Sequence, residues 1–260
     1  MRSDDDVRRV FELWEQGVPK EAIARRTGVS HMQVRRWIGR GRDAVLNSPM
    51  RRARCSEQNS ACPLVQDVHE RRYAYLLGMY LGDGYIATEP NGVHRLRISI
   101  CDDHPGIMSE CAEAVATVMP RRRVGLVRRP GCHDVSCFSN HWPCLFPQHG
   151  VGKKHNRPIM LRRWQERIAF DRYPELLLRG LIHSDACRCT NRVLRPTKAG
   201  LKRYEYPRYF FKNESGHIRG IFIEACDRVG IRWRWDGPSQ ISIARRQSVA
   251  FVDSFVGPKS

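Results

Sequence analysis

Apolar positions along the chain fall into three regimes of spacing. From residue 4 to 46 they recur at helical intervals. Val7, Val10, Phe11 and Trp14 mark a first helix, which Gly17 ends. Pro19 opens a second helix, a position proline tolerates, with Ala22, Ile23 and Ala24 inside it. Thr27-Gly28-Val29-Ser30 then reads as a sharp turn. Gly28 supplies the backbone freedom, and Ser30 caps a third helix with Val34, Trp37 and Ile38 inward. Residues 47–70 lose periodicity and read as a linker carrying Pro49, Arg51, Arg52 and Arg54. Beyond it, apolar helices alternate with strands of period two. His94-Arg95-Leu96-Arg97-Ile98-Ser99-Ile100 alternates strictly, with Arg95, Arg97 and Ser99 on one face. A helix at 106–119 and a strand at 134–138 follow. The second half answers with a strand at 206–211, a helix at 216–229, the alternating Arg232-Trp233-Arg234-Trp235, and Ile241-Ser242-Ile243. The halves also end alike, at 146–154 and 255–259. This order predicts an α+β chain: a three-helix module over 1–46, a linker over 47–70, and two αββαββα-like units over about 71–157 and 158–260.

Charge narrows the partner. Lys and Arg total 45 against 27 Asp and Glu, a formal charge of +18, and the 41% apolar content of the 260 residues can bury a core. Such an excess draws polyanions, and double-stranded DNA is the partner it points to. No membrane is expected: no apolar run approaches the roughly 20 residues a spanning helix needs. The start, Met1-Arg2-Ser3-Asp4-Asp5-Asp6, is acidic and lacks an apolar signal core. The expected location is therefore cytoplasmic, at a bacterial nucleoid. Ten cysteines are present, but no CxxC pair seeds a zinc ribbon, so free thiols are expected. The alternative is a non-standard metal cluster of Cys55, Cys62 and His69.

The three-helix module has the layout of a helix-turn-helix, and residues 21–40 resemble the recombinase and transposase type. In such modules the N-terminal end of the third helix enters the major groove. Here that end and the exposed face beyond it carry Ser30, His31, Gln33, Arg35, Arg36 and Arg40. Gln33 and Arg36 have the chemistry to read base edges; Arg35 and Arg40 suit phosphates.

A repeated segment carries the candidate chemistry. Residues 75–85 read YLLGMYLGDGY and residues 176–186 read LLLRGLIHSDA. Each is an apolar helix with small residues four apart, Gly78 and Gly82 in one, Gly180 and Ser184 in the other. Positions four apart share a helix face, and small residues there let two backbones approach closely. If the two faces pack together, Asp83 and Asp185 arrive side by side. Two adjacent carboxylates repel, which invites a divalent cation, and oxygen ligands favour a hard one.

Both segments resemble the LAGLIDADG motif of homing endonucleases and their relatives. Gly78, Gly82, Asp83 and Gly84 match its third, seventh, eighth and ninth letters, as do Gly180, Ser184 and Asp185; Ala186 stands where glycine is usual. The copies lie 102 residues apart, from 83 to 185, the spacing of two-repeat members. The resemblance spans 71–260. It implies a pseudo-twofold pair of αββαββα units forming a saddle of antiparallel sheets astride DNA. It further implies cleavage of both strands with Mg²⁺ or Mn²⁺ held by Asp83 and Asp185. A basic residue near the end of the last strand commonly assists. In the second repeat that is Arg245 or Arg246; in the first the place falls at Ser139-Asn140, which is uncharged. Asn213 and Asp102, near the ends of the earlier strands, are expected close to the metal's waters. On the DNA side the expected contacts are Arg95, Arg97, Arg208, Lys212, Arg232 and Arg234 on strands, with Lys153 and Lys154 in the basic run that also holds His155 and Arg157. His183 is expected as a packed helix residue.

Three functions compete. One is a metal-dependent endonuclease, free-standing rather than part of an intein, with the helix-turn-helix adding site recognition. The second is a transcription regulator on a catalytically silent scaffold of the same kind, from which the intact acidic pair distinguishes this chain. The third is an intron RNA maturase, against which the helix-turn-helix argues. Two internal repeats remove the need for a dimer, so a monomer with no obligate protein partner is expected.

Overall fold

The computed structural model describes residues 4–46, 62–90, 92–197 and 200–257. Arg51, Arg52, Arg54 and Cys55 lie outside the described residues. The N-terminal module has four helices: α1 (Asp4–Glu15), α2 (Lys20–Thr27), α3 (His31–Arg40) and a short α4 (Arg42–Leu46). Val7, Val10, Phe11, Leu13, Ile23, Val29, Val34, Trp37 and Val45 form its own core. Gly28 ends α2 in the left-handed region, with φ +64°, and Ser30 caps α3 by accepting from Gln33 N–H. Trp14, which shares the helical spacing of Val7, Val10 and Phe11, is 40% exposed. Leu13 takes the inward place, and the Trp14 ring lies 5.1 Å from Lys20 Nζ.

A second, separate core begins earlier than the sequence suggests. Cys62 and Val65 are buried in it and α5 (Pro63–Gln66) has formed, so residues 62–70 belong to the core and not to a linker. Then come α6 (Glu70–Asp83), β1 (Gly84–Thr88), β2 (His94–Cys101), α7 (Pro105–Val118), β3 (Val124–Arg129), β4 (Cys132–Phe138) and α8 (Trp142–Leu145). A 3-10 turn at Lys154–Asn156 and α9 (Arg163–Glu166), continued by a π-helical turn, lead to the second half. That half comprises α10 (Pro174–Asp185), β5 (Ala186–Thr197), β6 (Gly200–Lys212), α11 (Gly216–Arg228), β7 (Arg234–Trp235), β8 (Gln240–Ile243) and α12 (Arg246–Val256).

The halves build the same object. Each has a four-stranded antiparallel sheet, ordered β1-β2-β4-β3 and β5-β6-β8-β7. Leu96, Ile98 and Ile100 of β2 point into the core, as do Tyr209 and Phe211 of β6, which is the period-two alternation made physical. Helices cover those faces, with Phe211 stacked on Phe222 of α11 at 4.1 Å. The fold is thus α+β with two tandem αββαββα units, as expected.

Two strands depart from the expected lengths. The β5–β6 hairpin pairs from Ala186↔Phe211 out to Thr197↔Gly200, whereas β8 pairs only with Tyr209 to Lys212. Its outer part is therefore a two-stranded arm, largely exposed on both faces, and has no buried side to imprint a pattern on the sequence. By contrast β7 is only two residues long. Arg232 N–H donates to Ser248 Oγ at 3.0 Å instead of joining a ladder, and Trp233 Nε1 donates to Asp227 at 2.8 Å. Among the described residues no helix is long and apolar enough to cross a membrane.

Candidate active site at the paired helix ends

The site starts from glycine. A Cβ on Gly78 would stand 2.5 Å from Leu177 O and 2.8 Å from Gly180 Cα; one on Gly180 would run into Tyr75 O. One on Gly82 would collide with Ser184 and lie 3.0 Å from Asp185 Oδ2. The backbones of α6 and α10 therefore touch along the small-residue faces that the spacing predicts. The consequence is the geometry of the carboxylates. Asp83 is the last residue of α6 and Asp185 the last of α10, and the Asp185 carboxylate lies over Gly82, the residue before Asp83.

Asn213 follows β6 and reaches this site. Its Nδ2 donates to Asp185 Oδ2 at 2.6 Å, while its Oδ1 accepts from Ser215 N–H at 2.8 Å. The backbone donor fixes which way the amide faces, so the NH₂ group points at the carboxylate. Asp102, at the matching place in the first half, is instead engaged by His133 Nδ1 at 2.7 Å.

Lys154 is the residue whose place the sequence does not reveal. Expected on a phosphate, its Nζ instead donates to Tyr80 O and Leu81 O, each at 2.7 Å, and to Gly82 O. These are carbonyls of the last turn of α6, where the negative end of the helix dipole lies; Tyr80 O also accepts from Gly84 N–H at the C-cap. Burial lowers its ammonium to about 8, against the opposing pull of Asp185 and Asp83. A cavity of about 480 Å³ opens beside it, lined by Asp83, Tyr85, Lys153, His155 and Arg157 among others. Lys153 remains exposed.

Other expected residues are not gathered here. Ile243 pairs with Tyr209, whereas Lys212, next to Asn213, pairs with Gln240. Arg245 and Arg246 thus leave β8 at the end away from Asn213, at the head of α12, and both are exposed. His183 is buried as expected, held by Tyr75 OH and Val256 O, each at 3.1 Å. His69 caps α6 by accepting from Arg72 N–H, and among the described residues it belongs to no group of cysteines able to hold a metal; Cys55 lies outside the described residues.

The strand arginines sit on the expected face but are largely engaged. Arg95 donates to Ser136 Oγ at 2.6 Å and lies over the Phe138 ring, and Glu89 stands 3.6 Å from Arg97 and 3.9 Å from Arg95. Arg208 is 5% exposed, its guanidinium spread over Phe210 and bonded to Ser242 and Asp236. That burial corrects the expectation of an open phosphate contact. Lys212, Arg232 and Arg234 are exposed, with Arg234 3.7 Å from Asp236. The arm adds Arg192, Arg195, Lys202 and Arg203, exposed cations that the sequence pattern did not single out. In the N-terminal module Arg35, Arg36 and Arg40 are exposed on α3, Gln33 is half-buried, and Ser30 is occupied by its cap. His31 bonds Glu21 at 2.9 Å.

Residues 1–43 match a family model described as a homeodomain-like domain. No curated protein matches the chain in sequence. Among solved structures, a mesophilic variant of the homing endonuclease I-DmoI is 15% identical, with TM-score 0.47, over 73% of this chain and 97% of its own. A variant of I-DmoI in complex with its target DNA in the presence of Mg has TM-score 0.48 at 15% identity, over the same shares. A lysine-to-alanine mutant of I-SmaMI has TM-score 0.41 at 8% identity, over 71% of this chain and 84% of its own.

Proposed function

We propose that this protein is a sequence-specific, divalent-metal-dependent DNA endonuclease of LAGLIDADG type, with its helix-turn-helix as a second DNA-reading module. One observation carries the reading: α6 and α10 pack through bare glycine backbone and deliver Asp83 and Asp185 to one place. An all-oxygen donor set suits Mg²⁺ or Mn²⁺. When bound, the ion supplies Lewis acidity to a phosphodiester. The chain's own residues do the rest. Asn213 orients the Asp185 carboxylate, and Lys154 holds the end of α6, and with it Asp83, in place. The second sheet and the β5–β6 arm offer Lys212, Arg195 and Lys202, all exposed, to the backbone of a duplex, each neutralised phosphate adding salt-dependent affinity. Residues 1–46 form the helix-turn-helix domain and 62–260 the two-repeat domain. With both repeats in one chain, a monomer addresses both halves of a site.

The test is a random-sequence duplex pool incubated with the purified protein, with and without Mg²⁺ or Mn²⁺, recovering bound and cut molecules. Metal-dependent cutting that disappears in Asp83→Asn and Asp185→Asn is expected. A transcription regulator is the second reading. It is favoured by the placement of Arg245 and Arg246 away from the acidic pair, and selective binding without cutting in any metal would establish it.

A further inference from the structure

We infer that Cys62, His141 and Cys144 form a zinc site that fastens the beginning of the two-repeat core to its first repeat. Their donor atoms, two sulfurs and one imidazole nitrogen, all lie within 4.8 Å of one another. Cys62 Sγ stands 3.4 Å from His141 Nδ1. A tetrahedral zinc with bonds of about 2.0–2.3 Å sets its ligand atoms roughly 3.3–3.8 Å apart, so the cluster needs only a small contraction. Two thiols and an imidazole are a soft donor set, unlike the oxygens at Asp83 and Asp185, and select zinc over Mg²⁺.

The backbone holds these side chains in place. His141 is the N-cap of α8, and its carbonyl accepts from Cys144 N–H at 3.0 Å, so the two ligands sit one turn apart on one face. The turn between them is anchored by Trp142, fully buried, whose Nε1 donates to Cys137 O at 2.9 Å. Cys62 is the N-cap of α5, and its carbonyl accepts from Val65 and Gln66. Cys62 and Cys144 are 1% and 7% exposed, which shields the sulfurs from solvent. The fourth corner of the tetrahedron is left to a donor beyond these three. Binding releases the proton of each thiol and leaves both sulfurs as thiolates on the metal.

The position gives the site its purpose. Cys62 is the N-cap of α5 and is buried in the second core, and His141 and Cys144 belong to the first repeat, 79 residues and more along the chain. A metal bridging them would tie α5 to α8 and set where the chain arrives at the core. This inference stands apart from the nuclease reading.

The full-length protein, purified under reducing conditions without chelator, is analysed for metal by mass spectrometry, then stripped and titrated with Co²⁺. Stoichiometric zinc is expected, with thiolate-to-cobalt charge transfer and the intense visible bands of a tetrahedral site. Both signals should vanish in Cys62→Ser and Cys144→Ser and persist in Cys187→Ser, an exposed thiol elsewhere. His141→Cys, which keeps a zinc-binding donor, should retain the metal and strengthen the charge-transfer band, separating a missing ligand from a failure to fold. The inference is overturned if folded wild-type protein carries no zinc and gives no cobalt–thiolate band. Zinc retained in both serine variants, or a Cys62–Cys144 disulfide found by peptide mapping, would overturn it too.

Discussion

Lys154 shows how a single side chain changes meaning with its surroundings. In the sequence it belongs to a basic run, Lys153-Lys154-His155, of the kind that meets phosphates. In the fold its ammonium lies on three carbonyls at the end of α6. Lys154→Met should therefore cost about 1–3 kcal/mol of stability, the scale of charge-assisted bonds and of a cation at a helix C-terminus, read from urea denaturation. Lys153→Met, at an exposed position, should leave stability nearly unchanged and weaken DNA binding uniformly across sequences. Asn213 differs, because its place at the end of a strand already suggested nearness to Asp185. Arg208 was legible as a residue of the outward face, but not as a buried one: Asp236, which neutralises it, comes 28 residues later.

Among the elements, α6 and α10 tolerate least. Gly180→Ala drives a methyl into the Tyr75 carbonyl and the Gly78 backbone, neither of which is a flexible side-chain tip. The cost should reach or exceed about 3 kcal/mol, the upper range for overpacking, measured as a lower urea midpoint at unchanged slope. Gly39 on α3 has nothing within 4 Å of its Cβ position, so Gly39→Ala should stabilise the N-terminal module by up to about 1 kcal/mol. The last helix is tied to the second sheet through Asp253, which accepts from Arg188 at 2.8 and 2.9 Å and from Tyr209 OH at 2.6 Å. The bonds from Arg188, outweighing burial and aided by Tyr209, hold the Asp253 carboxyl below its ordinary 3.8. A depressed carboxyl contributes stability above its unfolded value and loses it as pH falls through the folded one. Thermal melts below pH 3.8 should thus fall more steeply for wild type than for Asp253→Asn. The motif helices were readable because a long apolar helix with paired small residues leaves a strong local pattern. The β5–β6 arm was not, because a hairpin exposed on both faces has no buried side.

At the scale of the molecule, two cores divide the chain, one over α1–α4 and one from Cys62 onward. A chain starting at Cys62 should fold alone, and calorimetry of the full protein should resolve two transitions. Removing residues 1–46 should make log affinity fall less steeply with log salt, by about 0.9 in slope for every phosphate that the helix-turn-helix neutralises. The sequence by itself determined the α+β class, the two repeats, the helix-turn-helix, and the packing of α6 on α10 with an aspartate at the end of each. Each of these is written in local periodicity or in residue size, which survive without knowledge of distant partners. Only the tertiary structure decided the place of Lys154, the neutralisation of the strand arginines by Glu89 and Asp236, the separation of Arg245 and Arg246 from the acidic pair, and the meeting of Cys62 with His141 and Cys144. Each of those depends on which residues strand register and helix packing bring within a few ångströms, whether across one hairpin or from distant parts of the chain, and no local pattern encodes that.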